Sequence, residues 1–529
     1  MTCGEAIVKL LERYKVDTIF GVPGVHNLEL YRSLEVSSIR HILTRHEQGA
    51  GFMADGYARA SGKPGVCFVI SGPGVTNIAT PMGQAYSDSI PMLVISSDAP
   101  SHTLGKGWGY LHEVTNLSAV TKPFTAFSSA VTSVGEIPGL MAKAFDIFYS
   151  ERPRPVHLSI PLDILAKQVE DEWSAHSTRQ KLKASSADID KINSLLREAE
   201  RPLFIIGGGL KDNFAELKAL VEVLQAPVIT TNGGKGAVSE HHPLSLGASV
   251  SREASQTFIS QADVILALGT ELADTDCFAG HYAFSGKLIR VDIDPAKLSD
   301  MFEPELALHA DAGSVVRDIL KVLQQGIQLE EASEQSVKLV KTKIQAELSD
   351  LERQHQTLLK SLQTALPDDT FYTADMTQLA YSAASLLTVT NPKSWFYPAG
   401  YGTLGFALPT AIGAKLAAPQ RAGATLIGDY GFQYTLQELA TAVDHKLPLI
   451  IILWNNEGLG EIADSMKRID MEPVEVKPFN PDFLALAEAY GCVATCPDSK
   501  DEFEQAVRDG LQLDRPTFIE VKQGARWLT

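Results

Sequence analysis

The sequence predicts an α/β chain of three doubly wound parallel-sheet domains, and three observations carry that expectation. Apolar runs of strand length alternate with helix-length patterned segments along most of the chain, as they do where parallel strands are joined by crossover helices. The 529 residues exceed what one hydrophobic core organises and suit three or four domains. The runs also fall into three groups, parted by a polar stretch at 170–183 and by a charged helical stretch at about 329–364 that has no strand signal. Domain limits of 1–168, 185–325 and 366–529 follow from those interruptions.

In the first group the runs at 18–20, 66–70, 92–95 and 156–160 read as strands, with helical patterns such as 4–14 and 49–61 between them. The second group opens with a helix near 187–199. A run at 203–206 then leads into Gly207-Gly208-Gly209, and further runs follow at 226–229, 264–269 and 288–292. Such a triplet can cradle a phosphate at a helix start, but it lacks the full Gly-x-Gly-x-x-Gly spacing, so a tight turn is the favoured reading. The third group holds the runs at 424–427 and 449–456. The last six residues, 524–529, read as a frayed terminus.

Composition narrows the function classes. A hydrophobic content of 45% supplies several cores. No apolar stretch approaches the roughly 20 residues of a membrane span, and the N-terminus lacks a signal-peptide pattern. Five scattered cysteines make neither a disulfide framework nor, at Cys492 and Cys496, a zinc site, so a cytoplasmic setting is expected. A net charge of −18 argues against nucleic acid as a partner.

Chemistry enters at two strand ends. The run at 424–427 closes on Gly428-Asp429-Tyr430-Gly431, and the run at 449–456 closes on Asn456, 27 positions after Asp429. Two buried strands, a crossover helix between them and an oxygen ligand at each carboxyl end describe a cradle for a metal and a diphosphate. Hard cations such as Mg²⁺ take oxygen ligands and share them with phosphates, and the crevice beyond parallel strand ends is where such groups bind. An ordinary strand-turn-helix with a capping Asp is the plainer alternative.

These residues resemble the thiamine-diphosphate motif, Gly-Asp-Gly followed by Asn-Asn, of the acetolactate synthase and 2-oxo-acid decarboxylase superfamily. The resemblance implies Mg²⁺ held by Asp429, Asn456 and the Gly458 carbonyl against the cofactor diphosphate, with Gly428, Tyr430 and Gly431 lining it; Tyr430 stands where the family has its second glycine. The stretch Thr44-Arg45-His46-Glu47-Gln48-Gly49-Ala50-Gly51 and its continuation to Arg59 looks like the pyrimidine-domain signature of the same enzymes. It implies that Glu47 shares a proton with the cofactor's aminopyrimidine, a role served best where burial raises a carboxyl pKa. A helix-dipole partner is the plain reading of Glu47 taken alone. Gly21-Val22-Pro23-Gly24 and Ser71-Gly72-Pro73-Gly74-Val75-Thr76-Asn77 resemble two further loops of the family. The segment 400–409 resembles the one that bends the cofactor, which implies Leu404 as the apolar wedge under the rings and the Gly402 carbonyl as an aminopyrimidine acceptor. Gln378 falls where relatives hold the diphosphate, though a solvated loop amide would look the same. The matched motifs run from Gly21 to Asn456 and imply a pyrimidine-binding first domain and a diphosphate-binding third domain. In the family these meet across a subunit interface, so a homodimer at minimum and a homotetramer as the common form are expected. The central domain binds FAD or a nucleotide in some members and nothing in others.

The reaction depends on residues facing the substrate. Val25 and His26 occupy the loop where pyruvate decarboxylases present an Asp. His112, in Tyr110-Leu111-His112-Glu113, replaces the Gln of acetolactate synthases and offers a titratable donor to the carbon that has lost CO₂. His102 lies in the same loop region and is the other candidate. Glu461 replaces an apolar residue that touches the substrate tail in relatives, and a carboxylate there would favour a cationic tail; a salt bridge within its own helix is the alternative. The reading is a thiamine-diphosphate- and Mg²⁺-dependent decarboxylase that turns a 2-oxo acid, for example one with a guanidino tail, into an aldehyde. A carboligase of acetolactate synthase type is the first rival, and an inactive cofactor-binding regulatory homologue the second.

Overall fold

The computed structural model describes residues 1–176, 181–277, 280–323 and 332–529. Residues 177–180 of the polar linker, the expected domain limit at 325 and the first residues of the charged stretch, 329–331, lie outside the described residues. Three parallel sheets emerge. The first orders its strands β2-β1-β3-β4-β6-β5, with β1 Thr18–Gly21, β2 Arg40–Leu43, β3 Gly65–Val69, β4 Met92–Asp98, β5 Phe127–Ala130 and β6 Val156–Pro161. The second runs β11-β10-β9-β7-β8, with β7 Pro202–Ile206, β8 Val228–Thr230, β9 Val264–Leu268, β10 Lys287–Asp292 and β11 Leu306–His309. The third runs β13-β12-β14-β15-β17-β16, with β12 Phe371–Ala374, β13 Trp395–Phe396, β14 Gly423–Gly428, β15 Leu449–Asn455, β16 Val493–Thr495 and β17 Thr517–Lys522.

Continuous apolar runs, rather than alternating ones, follow from burial on both faces. In the first sheet Val66, Phe68, Leu93 and Ile95 face one core while Cys67, Val69 and Val94 face another. The third sheet splits likewise, with Leu426, Ile450 and Ile452 on one side and Ile427, Ile451 and Leu453 on the other. One core is common to the first and third sheets. At its centre lie helix Glu47–Ser61 and helix Ala407–Ala417, both rich in Gly and Ala. Gly56 rests against the Thr410 carbonyl and Gly413 against the Met53 carbonyl, so the backbones touch where a Cβ would collide. Those pairs run in opposite directions along the two helices, which are therefore antiparallel.

The charged stretch forms two helices, Ala332–Glu347 and Asp350–Ala365. Val337, Val340 and Ile344 of the first pack on the second sheet's core, and Leu358, Leu359 and Leu362 of the second pack on the third's, so the pair braces two domains. The glycine triplet after β7 serves close packing: Gly207 and Gly209 lie against Gly269 and Gly208 against Gly233. One expectation is corrected. The C-terminus is docked, not frayed, because Leu528 is buried, Trp527 stacks on Phe503, and the Trp527 Nε1–H donates to the Pro497 carbonyl at 3.2 Å. No helix among the described residues is long and apolar enough to cross a membrane.

Candidate active site

Asp429 and Asn456 stand where paired strands end. Gly428 of β14 aligns with Trp454 of β15, which brings both residues to one rim of the sheet. Asp429 opens a helical turn, Asp429–Phe432, and is buried. That turn also accommodates Tyr430: its helical backbone makes no demand for glycine, and its ring packs against Tyr434 at 5.7 Å. Asn480, which carries no motif of its own in the sequence, donates its Nδ2–H to Asp429 Oδ2 at 2.7 Å. Burial pushes the Asp429 carboxyl up, against the pull of Asn480 and neighbouring backbone N–H groups.

The Asn456 amide closes this group. One of its ends lies 2.7 Å from the Gly458 carbonyl oxygen and 3.1 Å from Asp429 Oδ1; the other lies 3.2 Å from Gln378 Oε1. With nitrogen turned inward the amide donates to both oxygens. With oxygen turned inward three oxygens converge without a proton, and a cation is what would hold them. Octahedral Mg²⁺ at 2.0–2.1 Å sets adjacent oxygens about 2.9 Å apart, between the two observed separations. The donor set therefore fits a hard divalent cation. Gln378 also reaches Asp464 Oδ2, at 3.4 Å from its Nε2, so it belongs to this rim.

The segment before helix Ala407–Ala417 completes the third-domain half. Gly402 and Gly405 have φ of +70° and +80°, which only glycine adopts freely. Asp375, fully buried, accepts from the Gly405 N–H at 2.8 Å, and Thr435 donates its hydroxyl to the Gly405 carbonyl at 2.8 Å. Burial raises the Asp375 carboxyl to about 7. Leu404 is thus held half-buried over Gly431, its Cδ2 3.5 Å from where a Cβ there would stand. Helix Pro73–Ser87 of the first domain grips the same segment, since Thr403 donates to Gln84 Oε1 at 2.8 Å and the Gly400 N–H to Asp88 Oδ1 at 2.8 Å.

The first-domain half gathers elsewhere. Glu47 begins its helix, is buried, and accepts from Asn77 Nδ2 at 3.0 Å. His26 and His112, 86 residues apart in sequence, meet with their Nδ1 atoms 3.1 Å apart. Ser71 Oγ lies 3.1 Å from the same His26 nitrogen. His26 is buried, and burial, reinforced by His112, lowers its pKa. His112 has φ of +66°, and its carbonyl packs on Gly72, itself at +59°. Glu113 stabilises the preceding loop by accepting from the N–H groups of Gly107, Gly109 and Tyr110. His102 is exposed in a short 3₁₀ turn, Ser101–Thr103, and Val25, next to His26 in sequence, is exposed as well. Glu461 sits on helix Gly460–Arg468, none of whose residues is buried. It accepts from Arg468 Nη2 at 2.7 Å, so in the single chain it is neither unpaired nor buried, which corrects the premise of an uncompensated carboxylate.

The two halves are separated within one chain. Gly56 faces Thr410 and Gly413 faces Met53, a register that puts Arg59, not Glu47, beside the start of the other helix; its guanidinium lies 5.4 Å from the Phe406 ring. At 1.5 Å per helical residue, Glu47 and Leu404 stand roughly 20 Å apart along the pair.

Comparison with known proteins identifies the family. Three family models match: the thiamine pyrophosphate enzyme N-terminal TPP binding domain over residues 1–119, the central domain over 189–319, and the C-terminal TPP binding domain over 375–521. A probable 2-ketoarginine decarboxylase AruI of Pseudomonas aeruginosa is 50% identical over 525 residues, covering 99% of this chain and 94% of the relative. A probable acetolactate synthase large subunit of Methanococcus aeolicus is 32% identical, covering 98% of this chain and 92% of its own. The acetolactate synthase isozyme 1 large subunit of Escherichia coli is 31% identical, covering 98% and 94%. With three family models matched in order along the chain and full-length relatives at this identity, the chain belongs to the thiamine pyrophosphate enzyme family.

Proposed function

We propose that this chain is a thiamine-diphosphate- and Mg²⁺-dependent decarboxylase that converts a 2-oxo acid with a cationic, guanidino-type tail into CO₂ and an aldehyde. The His26–His112 pair carries the reading: two histidines joined at 3.1 Å supply a proton where carboligation needs a second carbonyl compound instead. The 50% identity to a probable 2-ketoarginine decarboxylase, against 31–32% to acetolactate synthases, favours the same side.

In this mechanism Asp429, Asn456 and the Gly458 carbonyl would hold Mg²⁺, and Gln378 with residues 428–431 would line the diphosphate. Leu404 and Gly402 shape the space for the rings, and Glu47 holds a proton against the aminopyrimidine. When bound, the cofactor supplies the electron sink that carbanion chemistry requires. His26 and His112 share one proton through their Nδ1 atoms, and the pair would pass a proton to the substrate carbon that has released CO₂ and regain it from water. Arg468 shares Glu461 in the single chain, and Glu461 turns to the guanidinium of the substrate when it binds.

One ring cannot touch Glu47 and Gly402 of the same chain across roughly 20 Å, so the site takes Glu47 from one subunit and Leu404 from its partner. Apolar side chains left exposed near both halves, among them Trp108 at 66% and Phe479 at 93%, support a homodimer at least, with a homotetramer as a further step. The domain limits proposed are 1–168, 185–325 and 366–529. The five cysteines are all free, as suits a reducing cytoplasm. The test is CO₂ release from pyruvate, benzoylformate, a branched-chain 2-oxo acid and the guanidino 2-oxo acid, with and without thiamine diphosphate and Mg²⁺. Cofactor-dependent release and a matching aldehyde from the guanidino acid is the expected result. An acetolactate-type product from pyruvate with no turnover of the guanidino acid overturns it.

A further inference from the structure

Among the described residues Glu47 has a single side-chain hydrogen bond, from Asn77, yet its placement must be set to a fraction of an ångström if it is to hold a proton on a ring. Further contacts are made one and two residues upstream. The Arg45 and His46 N–H groups, which enter the Glu47 helix, both donate to Glu438 Oε1 at 3.1 Å, although Glu438 belongs to the third domain. Thr441 donates its hydroxyl to the other oxygen, Oε2, at 2.6 Å. The Arg45 side chain pairs with Asp444 at the far end of the same short helix, Glu438–Asp444. Glu438 is fully buried, and Gly49 makes room for it, because a Cβ there would fall on the carboxylate.

We propose that Glu438 is a positioning residue: it fixes the first turn of helix Glu47–Ser61 and so aims Glu47 at the cofactor. This rests on the reading of Glu47 given above. The hydrogen bonds satisfy two N–H groups just before a helix start, where orphan donors gather and an acceptor is favoured. Burial pushes the Glu438 carboxyl up to about 7, and as acceptor it works in either protonation state, since one oxygen stays free to accept. Three residues earlier Thr435 holds Gly405, so one stretch of chain touches both the Glu47 helix and the segment carrying Leu404.

The experiment compares Glu438→Met, Glu438→Gln and Gly49→Ala with the parent and with Glu47→Gln. In the cofactor-free protein, amide hydrogen exchange is followed on the peptide covering 44–48. In the holoenzyme, the exchange rate of the cofactor's thiazolium C–H is set against cofactor Kd. Glu438→Met is expected to lose protection at 44–48 and to slow the C–H exchange roughly tenfold to a hundredfold while Kd moves less than about threefold. Glu438→Gln, whose carbonyl still accepts both N–H groups, is expected to keep most of the rate. Should Glu438→Met not fold, Gly49→Ala decides, because its methyl displaces the carboxylate and should reproduce the loss. Unchanged protection and exchange in the variant that folds overturns the proposal, and so does a Gln variant as impaired as the Met one. Normal turnover by Glu47→Gln would instead overturn the reading of Glu47 itself.

Discussion

Mixing two inactive chains should restore activity. Glu47→Gln removes the carboxyl proposed to serve the aminopyrimidine, and Asp429→Asn removes the charged group proposed to hold the metal. If each site takes Glu47 from one chain and Asp429 from the other, a dimer of the two variants carries one site with both defects and one with neither. A separation of roughly 20 Å between Glu47 and Leu404, worked from the helix register, is what demands that sharing. Random pairing makes half the dimers mixed, so co-expression should yield about 25% of wild-type activity per chain, and mixed dimers isolated through two different tags about 50%. Each variant alone should be nearly inactive. The assay is cofactor-dependent CO₂ release on singly and doubly tagged preparations. Mixed dimers no more active than either parent would show that one chain supplies both halves, and the argument from the helix register would fall.

Other consequences are as specific. His112→Ala and His26→Ala should each slow aldehyde release about a hundredfold or more, with product analysis showing the balance moving toward carboligation when acceptor aldehyde is added. Glu461→Gln should raise KM for a guanidino 2-oxo acid roughly tenfold while leaving that for pyruvate near its starting value; equal changes would assign Glu461 to its ion pair with Arg468 alone. Gly413→Ala should lower Tm by several degrees, because its methyl meets the Met53 carbonyl and overpacking costs about 1–3 kcal/mol. Burial raises Asp375 from an ordinary 3.8 to about 7, so the folded chain holds a proton that the unfolded chain has released over that interval. Its contribution to stability is full below about pH 4 and is lost as pH rises through about 7. Melting of cofactor-free protein between pH 5 and 8 should fall more steeply than in Asp375→Asn.

Much of this fold is written locally in the sequence. Strands buried on both faces announce themselves as apolar runs, so β14, β15 and the meeting of Asp429 and Asn456 at their ends are legible from residue order alone. Edge strands are not: β2 reads Arg-His-Ile-Leu and β5 Phe-Ser-Ser-Ala, both largely unburied, with no apolar run to mark them. The partners of the site are equally hidden. His26 meets His112 only because the turn after β1 and the loop after β4 lie side by side, and Asn480 reaches Asp429 across 51 residues. Glu438 is hidden by appearance, since an acidic residue opening a short helix reads as a surface cap until the first domain is seen to cover it. The terminus misleads for the opposite reason. Six residues look too few to hold, yet Trp527 and Leu528 find a pocket prepared by residues far upstream.

Where Gly56 and Gly413 let two helices touch backbone to backbone, the first and third domains are left without a hinge. Thiamine diphosphate therefore has no clamshell through which to enter or leave. With the site shared between two chains, as proposed above, its way in runs between them. On that proposal cofactor lifetime is tied to subunit association, and dilution is expected to strip the enzyme of its cofactor as it separates the chains. Storage at high protein concentration would preserve activity even where free cofactor is scarce.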